Sequence, residues 1–408
     1  MRWDELPRWV ESCLRERFDA PDLVVVELRG RVPESDELKT SWRDSKYSPD
    51  RVGDLAGVLP IDVVYRFDPS LSGPPTVLPL ILKARTEGDG VGDRLIPQII
   101  RDEHLSLPRP LTDYQAMRAL LGTSAREIRL YELQESYEPL QDFLPHNYGT
   151  LLEPGDPTTL LMIERITEPM LLDRANDLVG WNVEAVRLAL GAMGTIHGQW
   201  FGKQPDLEKF SWLPRRIATA DLVADRDLWD ALVELAKTRF AGIASDESIA
   251  RRKTIIDSIE DWHPIKDAFP HTLAHNDFNP RNVCFRRFEP EGPVPRSTPG
   301  LGSPVIYDWE LTIVDVPQRD LAEMLTFTML PGTPRSEVDE LVDHHRWTVE
   351  KTSGITIDRE LWFEIFRVEL KLEAINRVGL QLLFATELGL PYVPRIYATI
   401  DHLLDLYE

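Results

Sequence analysis

The sequence predicts an α+β fold of two lobes: an N-terminal lobe over residues 1–165 built on an antiparallel sheet, and a mainly helical C-terminal lobe over 166–408. Three observations carry this. Short apolar runs separated by Pro, Gly and Asp turns fill the first part of the chain. Beyond it, apolar residues recur at helical spacing. One pair of short apolar runs, within 273–313, interrupts those helices and reads as a hairpin.

Taken in order, Trp3, Leu6, Val10, Cys13 and Leu14 line one face of a helix over 2–18, and Leu23–Leu28 follows as a strand. Residues 30–58 are polar and turn-rich, an unusually long first connection. Strands at Ile61–Phe67 and Leu78–Ala84 flank the turn-forming DPSLSGPP. Residues 87–123 read as a partly helical insertion. A helix over 124–136 opens with Ser124 and carries Glu127 three residues on, the capping-box pattern. Strands at Tyr148–Leu152 and Thr159–Ile163 bracket EPGD. Val183, Val186, Leu190, Met193 and Ile196 then share a helix face, and 228–243 and 249–262 repeat the period. After the hairpin, whose Pro/Gly-rich tip spans 289–304, helices are expected at 319–329, 335–352, 358–386 and 394–407.

The net charge of −22 repels phosphate backbones and anionic lipid, so neither nucleic acid nor a membrane is an expected partner. No apolar run reaches the ~18 residues of a membrane span, and the N-terminal MRWDELPRWVESCLRERF is too charged for a signal peptide. The expected location is the cytoplasm. Cys13 and Cys284 form no CxxC pair and read as small buried apolar residues.

The chemistry concentrates in LAHNDFNPRNVCF, where His275, Asp277 and Asn282 take an HxDxxxxN spacing. Asp308 lies 31 residues beyond Asp277, at the end of the apolar run in VIYDWE. Transfer of a phosphoryl group to a hydroxyl needs one carboxylate to orient the O–H and take its proton. It also needs oxygen ligands for Mg²⁺, which a carboxylate and an amide supply. HNDFNPRN with IYDWE resembles the catalytic and metal motifs of the aminoglycoside phosphotransferase and choline kinase-like family, within the protein-kinase-like superfamily. The resemblance implies a bilobal kinase-like fold that uses ATP and Mg²⁺. It makes Asp277 the catalytic base, and Asn282 and Asp308 the metal ligands. His275 would brace the loop, and Asp320, in PQRDLAEML, would be structural.

The same resemblance asks the first lobe for a nucleotide cradle. Lys83, ending LPLILK, would meet the α- and β-phosphates, and Glu127 of AREIRLYEL would pair with it, with Glu132 one turn further along as the rival. In LLMIERI the backbone near Glu164 and Ile166 would meet the adenine edge. No GxGxxG separates the first two strands, so the phosphate loop is sought within 30–58, with Gly30, Ser45 and Ser48 as its candidates. His197, in GTIHGQWF, reads as a packed helix histidine. His344 and His345 are adjacent on a helix and point to different faces, a poor arrangement for one metal.

The expected acceptor is a small hydroxyl compound bearing cationic groups, aminoglycoside- or amino-alcohol-like. Glu310, Glu364, Glu369 and Glu373 are candidates to bind its ammonium groups; alternatively the helical glutamates pair on the surface with Arg367, Lys371 and Arg377. Two other readings stay open. One is a kinase of Ser or Thr in a precursor peptide, acting with a separate protein partner. The other is a nucleotide-binding pseudokinase scaffold, against which Lys83, Asp277, Asn282 and Asp308 are all present.

Overall fold

The computed structural model describes residues 4–30, 57–67, 74–86, 96–97, 99–100, 105–152, 158–287 and 300–408. Ser45 and Ser48 lie outside them, as do most of the candidate phosphate loop and of the 289–304 tip. In chain order the principal elements are α1 (Leu6–Arg17), β1 (Val24–Gly30), β2 (Gly57–Arg66), β3 (Thr76–Thr86), α2 (Ser124–Glu132), β4 (Asn147–Leu152) and β5 (Thr158–Glu164). There follow α3 (Val183–Trp200), α4 (Arg226–Arg239), α5 (Asp246–Asp257), β6 (Thr272–Ala274), β7 (Val283–Arg287), β8 (Leu301–Ile306) and β9 (Ile313–Asp315). Five helices close the chain: α6 (Gln318–Thr328), α7 (Arg335–Ser353), α8 (Arg359–Leu372), α9 (Val378–Leu388) and α10 (Val393–Tyr407). The expected α+β class, an antiparallel sheet lobe followed by a mainly helical one, describes this structure.

The chain forms two compact units, the first from 1–90, 122–173 and 284–310, the second from 91–121, 174–283 and 311–408. In the first, a five-stranded antiparallel sheet runs β1-β2-β3-β5-β4. β2 is buried along most of its length because β1 and β3 flank it. Leu6, Val10 and Leu14, four residues apart, put one stripe of α1 into a core with Ile61, Val63, Leu80 and Leu82 of the sheet. Each such side chain contributes roughly 1.5–3 kcal/mol by leaving water. At Gly149 of β4 a Cβ would stand 2.6 Å from Cys13 Sγ, so only glycine lets strand and helix approach this closely.

The second unit is built around α6, every residue of which is buried, Arg319, Asp320 and Glu323 included. Buried charges persist only when paired, and their partners form the site described below. α3 packs on α7, where a Cβ at Gly198 would come within 2.5 Å of Thr352. β6 and β9 form a two-stranded antiparallel pair that the sequence reading did not separate from the hairpin. The single helix expected over 358–386 is instead α8 and α9 joined by a π-turn at Glu373–Arg377. The helix over 124–136 ends at Glu132 and continues as a 3₁₀ turn, Gln134–Ser136. Its N-cap is Thr123 without a side-chain cap bond, so the capping box does not form; Glu127 is turned to another partner.

Candidate active site

In the first unit, Lys83 is carried on β3 with its side chain 4% exposed. Its Nζ donates to Glu127 Oε1 at 2.5 Å and to Asp308 Oδ1 at 2.9 Å. Of the two glutamates considered for it, Glu132 instead takes the exposed Arg129, at 2.8 Å. Strand alternation puts Arg85 on the same face as Lys83. Arg85 bonds Glu310 and lies 3.9 Å from Asp308 Oδ1. Burial opposes its charge, but Glu310, Glu127 and Asp308 together hold its pKa above the ordinary arginine value. Asp308 follows β8 with φ 67, in the left-handed region, where a residue with a Cβ loses roughly 1–2 kcal/mol. Trp309 anchors that turn, fully buried with Nε1 donating to Ile306 O at 3.1 Å. Arg85 was not legible as a site residue; its one signal is the Lys-x-Arg alternation.

Elsewhere in this unit Glu164 ends β5. Its backbone N–H donates to His146 O at 2.8 Å, and its carboxylate makes a two-pronged pair with Arg286 at 2.6 and 2.8 Å. Ile166 follows, half-buried, beyond the strand end.

In the second unit, the segment between β6 and β7 is gripped by Asp320. Its two oxygens accept from the backbone N–H of His275 (2.7 Å) and Asn276 (2.8 Å), and Oδ2 also meets His197 Nε2 at 3.0 Å. His197 in turn faces His345 Nε2 at 3.0 Å, and burial drives the pKa of His345 well below the ordinary histidine value. His275, fully buried, accepts the Asp277 N–H on Nδ1 at 3.2 Å. Asn276 has φ 61, a second left-handed residue. Asp277 Oδ1 accepts from Asn279 (3.0 Å), Arg281 (3.0 Å) and Arg377 (3.1 Å), while Oδ2 accepts from Asn282 Nδ2 at 2.7 Å. Burial raises the pKa of Asp277, and Glu323 adds to the rise; Arg281, Arg377 and His275 pull against it. Asn282 Nδ2 also donates to Asp277 O at 2.8 Å, which leaves Oδ1 without a hydrogen-bond partner among the described residues.

Each unit thus brings its own predicted residues together: Lys83, Glu127 and Asp308 in the first; His275, Asp277, Asn282 and Asp320 in the second.

No family model matches the chain, and no curated protein sequence is similar to it. Solved structures are. A protein from Ralstonia eutropha JMP134 assigned as an aminoglycoside phosphotransferase is 12% identical, with TM-score 0.49 over 98% of this chain and 97% of its own. Choline kinase LicA from Streptococcus pneumoniae is 11% identical, with TM-score 0.44 over 96% and 98%. Aminoglycoside 2′-phosphotransferase-IIIa, solved with GDP, is 11% identical, with TM-score 0.42 over 91% and 95%.

The second unit also holds a small open cavity of about 60 Å³, lined by Asn276, Asp315, Lys266, Arg319, Glu369, Asn376 and Arg377 among others. Lys266 joins Asp315 (2.9 Å) to Glu369 (2.6 Å). Against the cost of burial, Lys266 holds the Asp315 pKa down, whereas burial pushes that of Glu369 up. Glu369 Oε2 makes no hydrogen bond. Arg319 bridges Glu373 (2.7 Å) and Glu323 (2.9 Å). Burial and the nearby Glu323 raise Glu373 to about 7, while Arg377 and Arg319 outweigh burial and hold Glu323 at about 2. Glu369 and Glu373 therefore face inward and do not form surface pairs with Arg367, Lys371 or Arg377. Glu364 is exposed, and Glu310 is committed to Arg85.

Proposed function

We propose that this chain is an ATP- and Mg²⁺-dependent phosphotransferase that passes the γ-phosphoryl group to a hydroxyl of a small cationic acceptor. The observation that carries the reading is the buried Lys83–Glu127–Asp308 cluster, assembled from a strand, a helix and the turn after another strand. A lysine held by two carboxylates on the face of a paired strand is preorganised to receive phosphate oxygens. Glu127 fixes its direction.

Asp277 is the base in this reading. It orients the acceptor O–H and takes its proton as the oxygen bonds to the γ-phosphorus; the bridging P–O bond breaks and ADP leaves with the electron pair. Burial keeps its carboxyl pKa raised, which favours proton capture. Mg²⁺ would be held by Asp308 and by Asn282, whose amide hydrogens are committed to Asp277 so that Oδ1 remains as a hard oxygen donor. Among the described residues no three His, Cys, Asp or Glu cluster as a metal cage, so phosphate oxygens and water would complete the coordination. When bound, the ion neutralises phosphate charge. Backbone groups near Glu164 and Ile166 would meet the adenine, with the Glu164 carboxylate tied back by Arg286.

The cationic acceptor is supported by Glu369, buried at the cavity with Oε1 ion-paired to Lys266 and Oε2 lacking a hydrogen bond. An ammonium group there would satisfy that oxygen and let the carboxylate ionise.

The test is ³²P transfer from γ-labelled ATP with Mg²⁺ onto aminoglycosides, amino alcohols, sugars and Ser/Thr peptides. Transfer to an amine-bearing alcohol, lost in Asp277→Asn, supports the reading. Transfer to peptides alone would replace it with the precursor-peptide kinase. Nucleotide binding with neither transfer nor hydrolysis would leave the scaffold.

A further inference from the structure

Resting on the reading of Asp277 as the base, we infer that Arg377 is a positioning residue for that base, delivered to it by the π-turn at Glu373–Arg377. Its Nη2 serves four oxygens: Asn276 O at 2.6 Å, Asp277 Oδ1 at 3.1 Å, and both oxygens of Glu323 at 3.3 Å. The shortest of these grips the carbonyl of Asn276, the left-handed residue of the loop. A non-glycine residue stays in that region only when its surroundings over-determine it.

Asn276 meets that condition. Its N–H is held by Asp320 (2.8 Å), its carbonyl by Arg377 (2.6 Å), its Nδ2 by Leu311 O (3.1 Å) and its Oδ1 by Arg319 Nε (3.0 Å). Asp320 therefore holds the turn at the nitrogen end and Arg377 at the carbonyl end. With Oδ1 of Asp277 occupied by Asn279, Arg281 and Arg377, the oxygen that faces an incoming hydroxyl is Oδ2, which carries Asn282 Nδ2 alone.

The π-turn is what aims the guanidinium. Each α-helical residue rotates the chain by about 100°, so a regular helix through this stretch would turn Arg377 away by that angle. π-turns recur at functional sites for this reason. Arg377 and Asn276 also line the cavity, so the group that sets the base adjoins the space the acceptor would fill. The Nε of Arg377 is buried without a hydrogen bond, a donor that an acceptor oxygen would satisfy.

The test uses Mg²⁺-dependent ATP hydrolysis by the full chain, in which water takes the acceptor's place and needs the same carboxylate oxygen. Arg377→Ala is expected to lower kcat tenfold to a hundredfold, with KM for ATP and the Kd of a fluorescent ATP analogue within twofold of wild type. Added guanidinium or ethylguanidine, below denaturing concentration, should restore part of the rate, and ammonium should not. Arg377→Lys keeps the charge, but its shorter side chain stops short of the Nη2 position from which all four contacts are made, and should lose about tenfold in kcat. Wild-type kcat in either variant, or rescue by ammonium equal to that by guanidinium, overturns the inference. If Arg377→Ala melts early, the Lys variant decides alone. Asp277→Asn separates the failures: hydrolysis at the wild-type rate sinks the base and this inference with it. A dead Asp277→Asn beside an unimpaired Arg377→Lys sinks only the role of Arg377.

Discussion

The two charged clusters are built on opposite plans. In the first unit, Lys83, Glu127 and Asp308 come from three elements and hold one another through a single ammonium group, with Arg85 and Glu310 beside them. In the second, Asp277 sits in a loop whose backbone is tied at several points to α6 and the π-turn. A cluster of the first kind turns on one ammonium group, so losing Lys83 disturbs both carboxylates at once. A cluster of the second kind spreads the load, and the loop's shape outlasts the loss of most single side chains. Asp320 is the exception, because it alone holds two consecutive backbone amides.

That contrast ranks the expected effects. Asp320→Ala should be the most damaging, leaving two buried backbone N–H groups and His197 without their acceptor. Hydrogen bonds to a charged group contribute about 1.5–3 kcal/mol each, so a loss of roughly 3–5 kcal/mol in urea unfolding is expected. A loss under 1 kcal/mol would mean the loop holds itself.

Lys83→Met comes next, taking from Glu127 its buried ion pair and leaving Asp308 to Arg85 at 3.9 Å, at a cost of about 2–4 kcal/mol together with a hundredfold or greater fall in kcat. Unchanged stability would show the first cluster to be more redundant than its geometry implies.

Glu373→Gln acts through pH. The folded-state pKa of about 7 lies above the ordinary value of 4.5, so the folded protein holds this proton more tightly than the unfolded chain. That contribution is present at pH 4.5 and is lost as the pH rises to about 7. Replacing the carboxyl should remove roughly 1–3 kcal/mol of slope across that window. Chemical unfolding at pH 5 and pH 7.5 checks it, and an unchanged difference would count against a protonated Glu373.

Glu132→Ala should move stability by less than about 0.5 kcal/mol, because its pair with Arg129 is exposed. Comparison with Glu127→Ala then isolates what burial adds to the same kind of charge.

The plan of each cluster also governs how much of it could be read from the chain. HNDFNPRN is contiguous, so His275, Asp277 and Asn282 declared themselves by spacing, and DLAE by following a strand-borne Asp308. The sheet was legible because each strand is a compact apolar run bounded by turn residues, as Leu78–Ala84 is inside Thr76–Thr86. Arg377 was not legible as an interior group, and Glu369 could be read either as lining the cleft or as a surface pair. They sit in an apolar helix pattern where Glu and Arg four apart read as surface pairs, and only the π-turn and the buried α6 turn them inward. The capping box at Ser124 failed for a related reason: a local pattern gave way to a partner, Lys83, 44 residues away.

The first unit is interrupted twice along the chain, between 90 and 122 and between 173 and 284. A ribosome that has released the five-stranded sheet still has more than a hundred residues to make before β8 and Asp308 emerge. The nascent sheet lobe must wait in solution with its last pieces missing, exposed to chaperones and proteases. For the same reason no single cut in the gene yields either unit whole, and fragment complementation would need at least three pieces for the first.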